Sequence, residues 1–446
     1  MLDRAQALTA WDGFCYNLIH CFKYADGFVV AITKSRSETK IYCGMTPFAA
    51  KEMMNRRLQV AVSVEHSRGW GRRVCEGICS YAQTHPNWRI TMFDGVLPSV
   101  GDLKAFDGFL WSVSDACAAE RLLSTGRPIV NLMVDGRFPA TVQVGADHVA
   151  CGELVVQHFL SRYFRHFAFC GWQGLVFSDV RLAVYRKALG RVHFDCSAYL
   201  SKSGGRRRAA LRDVLRERFA LPADAAAIAR WLRKLPKPVA VFCANDLRAW
   251  QLSEICWRAG LSVPNDVAIL GADNDIVPCL LTSPSLSSVD TGTFETGRRA
   301  AEVLDEILHG TRTAGGSTVL VPPRGVVARN STAVYAVEPP FLSEALSYIR
   351  ADTAKSLTAA GVAAHVGLSY STVQGAFRDR IRSSIQREIM SARLELAERL
   401  LCATDLPLSD VAAQAGFRTQ QYFCLCFKRE KGMAPGTFRE KAGRDG

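Results

Sequence analysis

Two pairs of polar residues stand where apolar runs give out. Asn245-Asp246 follows Pro238–Phe242, and Asp273-Asn274 follows Val267–Leu270. In α/β folds the carboxyl ends of strands face the crevice where ligands bind. Carboxylates and amides there present several acceptors and donors, which suits a hydroxyl-rich ligand. The same residue types also cap helices and turns, and spacing alone does not separate the two roles. His66 and Trp70, just past the first apolar run, offer a polar edge and a stacking face. An aromatic at such a place serves equally well as core.

A different chemistry is written twice near the C-terminus. In Thr358–Arg378 an alanine-rich turn (Val362, Ala363, Ala364, Val366) meets Gly367-Leu368-Ser369, and a short helix follows with Val373 and Phe377. In Pro407–Lys428 the residues Leu408, Val411, Ala412 and Ala415 meet Gly416-Phe417-Arg418-Thr419, and a helix follows with Phe423 and Phe427. Small residues let two helices cross closely, glycine turns the chain, and a side-chain oxygen caps the next helix. This is a helix-turn-helix, whose second helix fits the DNA major groove. With the apolar positions inward, the outward residues are Tyr370, Ser371 and Gln374 in the first unit. In the second they are Arg418, Thr419, Gln420, Gln421 and Leu425. Gln can pair with adenine, Arg with guanine or phosphate, and Leu with a thymine methyl. Arg378, Arg380, Arg382, Lys428, Arg429 and Lys431 flank the helices and suit phosphates. A solvated basic face is the competing reading of any one of these residues.

Catalytic constellations are missing from the sequence. There is no Gly-x-Ser-x-Gly elbow, no Walker-type loop and no His-Glu-x-x-His, so the expectation is a protein that is not an enzyme. The 15 cysteines are scattered without a Cys-x-x-Cys, which argues against zinc and against a disulfide framework. They read as small apolar residues in a reducing cytoplasm, and no metal or cofactor is expected. No apolar run reaches the ~20 residues of a membrane span, and the N-terminus lacks the pattern of a signal peptide. The formal charge of +13 favours a polyanionic partner, but Phe341–Gly446 holds only +4 of it. The run Arg206–Arg218, interrupted by Asp213 and Glu217, reads as a solvated helix face.

The elements that must position these groups fall into three blocks. Residues 1–56 show no clear period and read as an irregular extension, one for which an over-extended gene start is an alternative to a genuine arm. Residues 57–336 alternate strand and helix. The spacing predicts strands at Leu58–Val64, Trp88–Phe93, Gly108–Trp111, Ile129–Leu132, Thr141–Val144, His166–Phe169, Pro238–Phe242 and Val267–Leu270. It predicts helices between them and a long one at Thr293–His309. Such alternation implies parallel sheets, and about 270 residues implies two lobes with a cleft rather than one sheet. Residues 337–446, after Glu338-Pro339-Pro340, form an all-α domain with the two helix-turn-helix units.

Phe341–Arg439 resembles an AraC-type DNA-binding domain. The likeness rests on Ala415-Gly416-Phe417, Tyr422-Phe423, Phe427-Lys428, Gly432, Pro435 and Phe438-Arg439, with Ala392-Arg393-Leu394, Ala397, Leu400-Leu401 and Thr404-Asp405 in the connecting helix. Gly375 and Ala376 replace residues that are often basic in that family, and its usual glycine after the first unit is replaced near Arg382. The middle block resembles a LacI/GalR-type effector domain of periplasmic-binding-protein-like fold. That likeness runs through Val144-Gly145-Ala146-Asp147, Cys243-Ala244-Asn245-Asp246, Val263–Asn274 and the Ser285–Val289 cross-over. It implies a sugar effector, with Arg181, Asn245, Asp246 and Asp273 as ligand contacts. It also implies a cytoplasmic homodimer that binds a double-stranded DNA operator and activates genes with RNA polymerase. The alternatives are a ligand-independent DNA-binding regulator and a sugar-binding protein with no regulatory role.

Overall fold

The apolar runs of the middle block become strands buried on both faces. The structure, a computed structural model, describes residues 17–23, 29–34, 39–43, 56–65, 68–93, 99–112, 116–134, 138–202, 220–351 and 357–444. In the N-terminal block, read as irregular, it contains strands β1 (Asn17–Lys23), β2 (Val29–Lys34) and β3 (Thr39–Cys43), paired antiparallel in that order. Val29-Val30-Ala31-Ile32-Thr33 is a β-branched run of the kind that favours strand, though it lacks the alternation that would announce a half-buried one.

The chain then alternates. In order come β4 (Leu58–Ser63), α1 (Gly69–Gln83), β5 (Trp88–Phe93), α2 (Val100–Leu103), β6 (Gly108–Trp111), α3 (Ala116–Leu123), β7 (Ile129–Asn131) and β8 (Val142–Ala146). There follow α4 (His148–Leu160), β9 (His166–Gln173), α5 (Val176–Arg191), β10 (Cys196–Lys202), α6 (Ala225–Lys234), β11 (Val239–Cys243) and α7 (Asp246–Ala259). The block ends with β12 (Val267–Ala272), α8 (Ile276–Leu281), β13 (Ser287–Asp290), α9 (Thr293–Leu308), β14 (Thr318–Val321), β15 (Gly325–Val327) and a 3-10 turn at Asn330–Thr332.

These strands make two six-stranded sheets, one per lobe. The first has the order β14-β8-β7-β6-β4-β5 and is parallel throughout. The second has the order β10-β9-β11-β12-β13-β15 and is parallel except for β13–β15. The chain passes between the lobes after β8, after β13 and after β14. Val60, Val62, Leu110, Val130 and Val144 pack with Ala300 and Leu304 of α9 in the first core. Phe169, Phe242 and Leu270 pack with Val155 and Tyr185 on one side of the second sheet, and Val241 and Ile269 pack with Leu252 on the other. Helices α1 and α9 touch along Gly77 and Gly297; a Cβ on Gly297 would stand 1.9 Å from the Val74 carbonyl oxygen. Glycine is required there by proximity, not by backbone angle.

The alternation misses β10, α8, β14 and β15. Strand β10 is a partly exposed edge whose residues mix polar and apolar without a clean period, so its pairing with β9 decides it. Ser287–Asp290, read as part of a cross-over, is itself a strand.

The C-terminal domain holds α10 (Pro340–Ala351), α11 (Ala359–His365), α12 (Tyr370–Ala376), α13 (Ile385–Ala403), α14 (Leu408–Gln414), α15 (Gln420–Lys431) and α16 (Pro435–Arg444). Helix α13 serves two small cores. Ile385, Ile389 and Ala392 join Val373, Phe377 and Leu346, while Leu394, Ala397 and Leu401 join Phe423, Phe427 and Val411. Each core is therefore built around one helix-turn-helix. Among the described residues the cysteines are free thiols, no group of His, Cys, Asp and Glu could hold a metal, and no helix is long and apolar enough to cross a membrane.

Candidate functional site

A cavity of about 270 Å³ opens between the lobes. Arg68, Gly69, Trp70 and Arg72 line it from the start of α1. Asn245, Asp246, Ala272, Asp273 and Asp275 line it from the second lobe. Asp275 closes one edge: its Oδ2 accepts from the Gly69 amide at 2.9 Å and its Oδ1 lies 3.6 Å from Arg72. Trp70 is on the wall, as its place after β4 suggests. His66 lies outside the described residues.

Asp273 is the centre of the arrangement. Arg181 grips it from beneath with two bonds, 2.6 and 3.1 Å, and Thr291 donates a third at 3.1 Å. Arg181 is buried and also donates to the Ala244 carbonyl at 2.6 Å, while its Nε has no partner. It positions Asp273 and is not among the cavity-lining residues. Asp273 and Asn274 have φ of 93° and 50°, two consecutive non-glycine residues in the left-handed region. Such backbone strain persists where the surroundings over-determine it, and it clusters at functional loops.

The flanking residues divide between capping and contact. Asn245 caps α7, its Oδ1 accepting from the Arg248 amide at 2.9 Å. Asp246 Oδ2 accepts from the Asp275 amide at 2.7 Å, and its carboxyl is buried near Ser288 and Cys279. Burial, then the charge of Asp273, push the Asp246 carboxyl well above the usual range. The sequence missed His148, at the start of α4. Its Nδ1 is buried and unpartnered, and burial with the charge of Arg181 lowers its pKa to about 4. The signal was the Val144–Asp147 run just before it. Asp147 itself caps α4 through the amides of Val149 and Ala150.

The second surface belongs to the helical domain. Thr358, Ser369 and Thr419 each accept a hydrogen bond from the amide three residues on, and so start α11, α12 and α15. Gly367 and Gly416 make the turns at φ 69° and 80°. Val373, Phe377, Phe423 and Phe427 are fully buried. Tyr370, Ser371, Arg378, Arg418, Thr419, Gln420, Gln421, Leu425 and Lys428 are exposed. Gln374 is half-buried, because its Oε1 accepts from the Ile385 amide at 3.3 Å; only its amide hydrogens remain for a base. Helix α12 ends at Ala376 and runs into a wide turn at Phe377–Ile381. Arg382 closes that turn at φ 56°, where the matching residue of the second unit is Gly432 at φ 74°. The basic run Arg206–Arg218 lies outside the described residues.

A family model described as a periplasmic binding protein-like domain matches residues 156–332, and a helix-turn-helix domain matches residues 362–441. The chain is a DNA-binding transcription regulator that joins a periplasmic-binding-protein-like effector domain to an AraC-type double helix-turn-helix. Two of its relatives run nearly end to end with it. The xylose operon regulatory protein of Haemophilus influenzae is 26% identical, over 87% of this chain and 99% of its own length. That of Escherichia coli K12 is 24% identical, over 87% and 98%. The solved structure of a xylose-binding transcription activator has the same fold, with a TM-score of 0.53 and 23% identity, over 87% of this chain and 99% of that one. These relatives are transcription regulators and not enzymes.

Proposed function

We propose that the cleft binds a small sugar, D-xylose or a similar pentose, and that occupancy sets how the two helix-turn-helix units engage an operator. The observation that carries this is Asp273, which lines the cleft in a strained loop, is held there by Arg181 and stands beside a buried polar atom without a partner, His148 Nδ1. Unpaired buried polar groups are costly unless a ligand pairs them. On this reading His66, Trp70, Arg181, Asn245, Asp246 and Asp273 serve the sugar, and the exposed residues of α12 and α15 serve DNA. The division between the two tasks falls near residues 336–337. The regulator works in the cytoplasm and activates sugar-catabolic genes with RNA polymerase.

The chain acts as a homodimer. Helix α8 exposes Ile276, Val277, Leu280 and Leu281 together, a contiguous apolar face of the kind that marks an interaction site. A second copy of the chain is the occupant that the LacI/GalR resemblance favours.

A thermal-shift screen of the full chain against pentoses, hexoses and their acids and alcohols tests the sugar reading. A sugar at 100 times its dissociation constant stabilises the fold by about 2.7 kcal/mol. One sugar should raise Tm, and Asp273→Ala should abolish the shift. No shift with any sugar, alongside intact operator binding, would leave a regulator that acts without a ligand.

A further inference from the structure

We propose that Arg329 and Thr332 tie the loop carrying Asp273 to helix α13, the helix that joins the two helix-turn-helix units. This rests on the reading of the cleft as the effector site and assigns the residues that report its state. Arg329 Nη2 donates to Asn274 Oδ1 at 2.8 Å, and its Nη1 donates to the Leu286 carbonyl at 2.8 Å. Among the described residues Arg329 makes no ion pair, so directional bonds to neutral acceptors fix its guanidinium. The Arg329 amide donates to Ser287 Oγ at 2.8 Å, and Ser287 Oγ lies 2.7 Å from Thr332 Oγ1. Thr332 meets the end of α4 twice: its Oγ1 lies 3.0 Å from His158 Nε2, and its carbonyl accepts from Arg162 Nε at 3.0 Å.

From there the contacts enter the DNA-binding domain. Tyr163 packs against the small core that Ile385 and Ile389 of α13 help to form, and the nearby Glu388 carboxylate, after burial, raises its pKa. The Arg162 carbonyl accepts from the Ala336 amide at 2.8 Å, next to Tyr335, whose ring lies 5.1 Å beneath the Arg350 guanidinium. Arg350 stands 3.5 Å from both Glu388 and Glu395 of α13. Ser287 and Thr332 are fully buried, and a misplaced polar group in such surroundings is costly. The path also holds a discrete choice. Ser287 has one hydroxyl proton and two acceptors in reach, the Arg329 carbonyl at 3.0 Å and Thr332 Oγ1 at 2.7 Å. Coupling between sites needs an element with two arrangements that both sites bias, and this hydroxyl pair has them.

Hydrogen exchange on the full chain tests the link without any sugar. Asn274→Gly removes the amide that Arg329 holds while keeping the left-handed backbone cheap. It should speed exchange of the amides at 385–392 at least threefold. In a Thr332→Val background the same change should alter them by less than 1.3-fold, and Thr332→Ser, which keeps the hydroxyl, should restore the threefold effect. Arg329→Met, at a half-buried residue, must also silence the response, which guards against Thr332→Val acting by loosening the lobe. Exchange in α13 that ignores Asn274→Gly, or that responds equally in every background, would overturn the proposal. A second arm titrates D-xylose against an operator-bound chain. Thr332→Val should keep sugar affinity within threefold and lose the change in operator affinity; a retained response would overturn the proposal too. If D-xylose fails to bind the unsubstituted chain, the sugar reading fails while the exchange result still decides the link.

Discussion

Arg382 holds a left-handed backbone that its counterpart, Gly432, adopts without a side-chain penalty. For an L-residue that conformation costs roughly 1–2 kcal/mol, part of which glycine returns through its freer unfolded chain. Arg382→Gly should therefore stabilise the helical domain by about 0.5–1 kcal/mol in urea denaturation, and at the same time weaken operator binding on every sequence alike as one cation is lost. His148 makes a pH prediction. Its folded pKa of about 4 lies below its ordinary 6.5, so the unfolded chain binds the proton first. The contribution of His148 should be level above pH 6.5 and be lost as the pH drops from there towards 4, against an opposite gain from protonation of the raised Asp246 carboxyl. His158, lowered well below its ordinary value by burial and Arg162, acts in the same direction as His148. In His148→Asn the slope of the urea midpoint against pH should shrink over that window but not vanish. Residue spacing put Asp273 at the carboxyl end of a strand, where it lines the cavity, but did not separate ligand contact from capping. It did not reveal His148 or the inward turn of Gln374, since both depend on what lies across the fold.

At the scale of elements, the two helix-turn-helix units were readable because capping, glycine turn and buried aromatic are local devices and each occurs twice. The units are nonetheless unequal. Helix α12 has seven residues and α15 has twelve. Gly375 lies near the end of the shorter one, and glycine lowers helix stability by roughly 1 kcal/mol relative to alanine. Base reading should therefore concentrate on α15. Gln421→Ala is expected to relax preference at one or two base pairs in a footprint, by about 1–3 kcal/mol of discrimination. Lys428→Ala should weaken all sequences alike and reduce the salt slope by about one unit. Identical footprints and salt slopes in both variants would contradict that division. Strands β10, β14 and β15 escaped the sequence because edge strands are specified by their neighbours more than by their own period.

For the whole molecule, alternation and length announced two lobes, and helix α10 starts at the second of the prolines 339 and 340. What they did not announce is how the domains meet, through Tyr163, Tyr335, Arg350 and Glu388, because a polar interface leaves no periodic trace. Association belongs to this scale. The homodimer proposed above is tested here: Leu281 is 69% exposed on α8, the unsubstituted chain should sediment as a dimer, and Leu281→Asp should turn it to monomer while leaving Tm within a few degrees. An unsubstituted chain that sediments as a monomer would refute the pairing, and an unchanged coefficient in the variant would move it away from α8.

The interleaving of the two sheets bears on how the chain is made. The first lobe takes its edge strand β14 and its packed helix α9 from residues 293–321, after nearly all of the second lobe has been spelled out. On the ribosome the lobe encoded first must therefore wait for the lobe encoded second, and the DNA-binding head emerges only when both can close. A nascent chain acquires its reader last, after the part that instructs it.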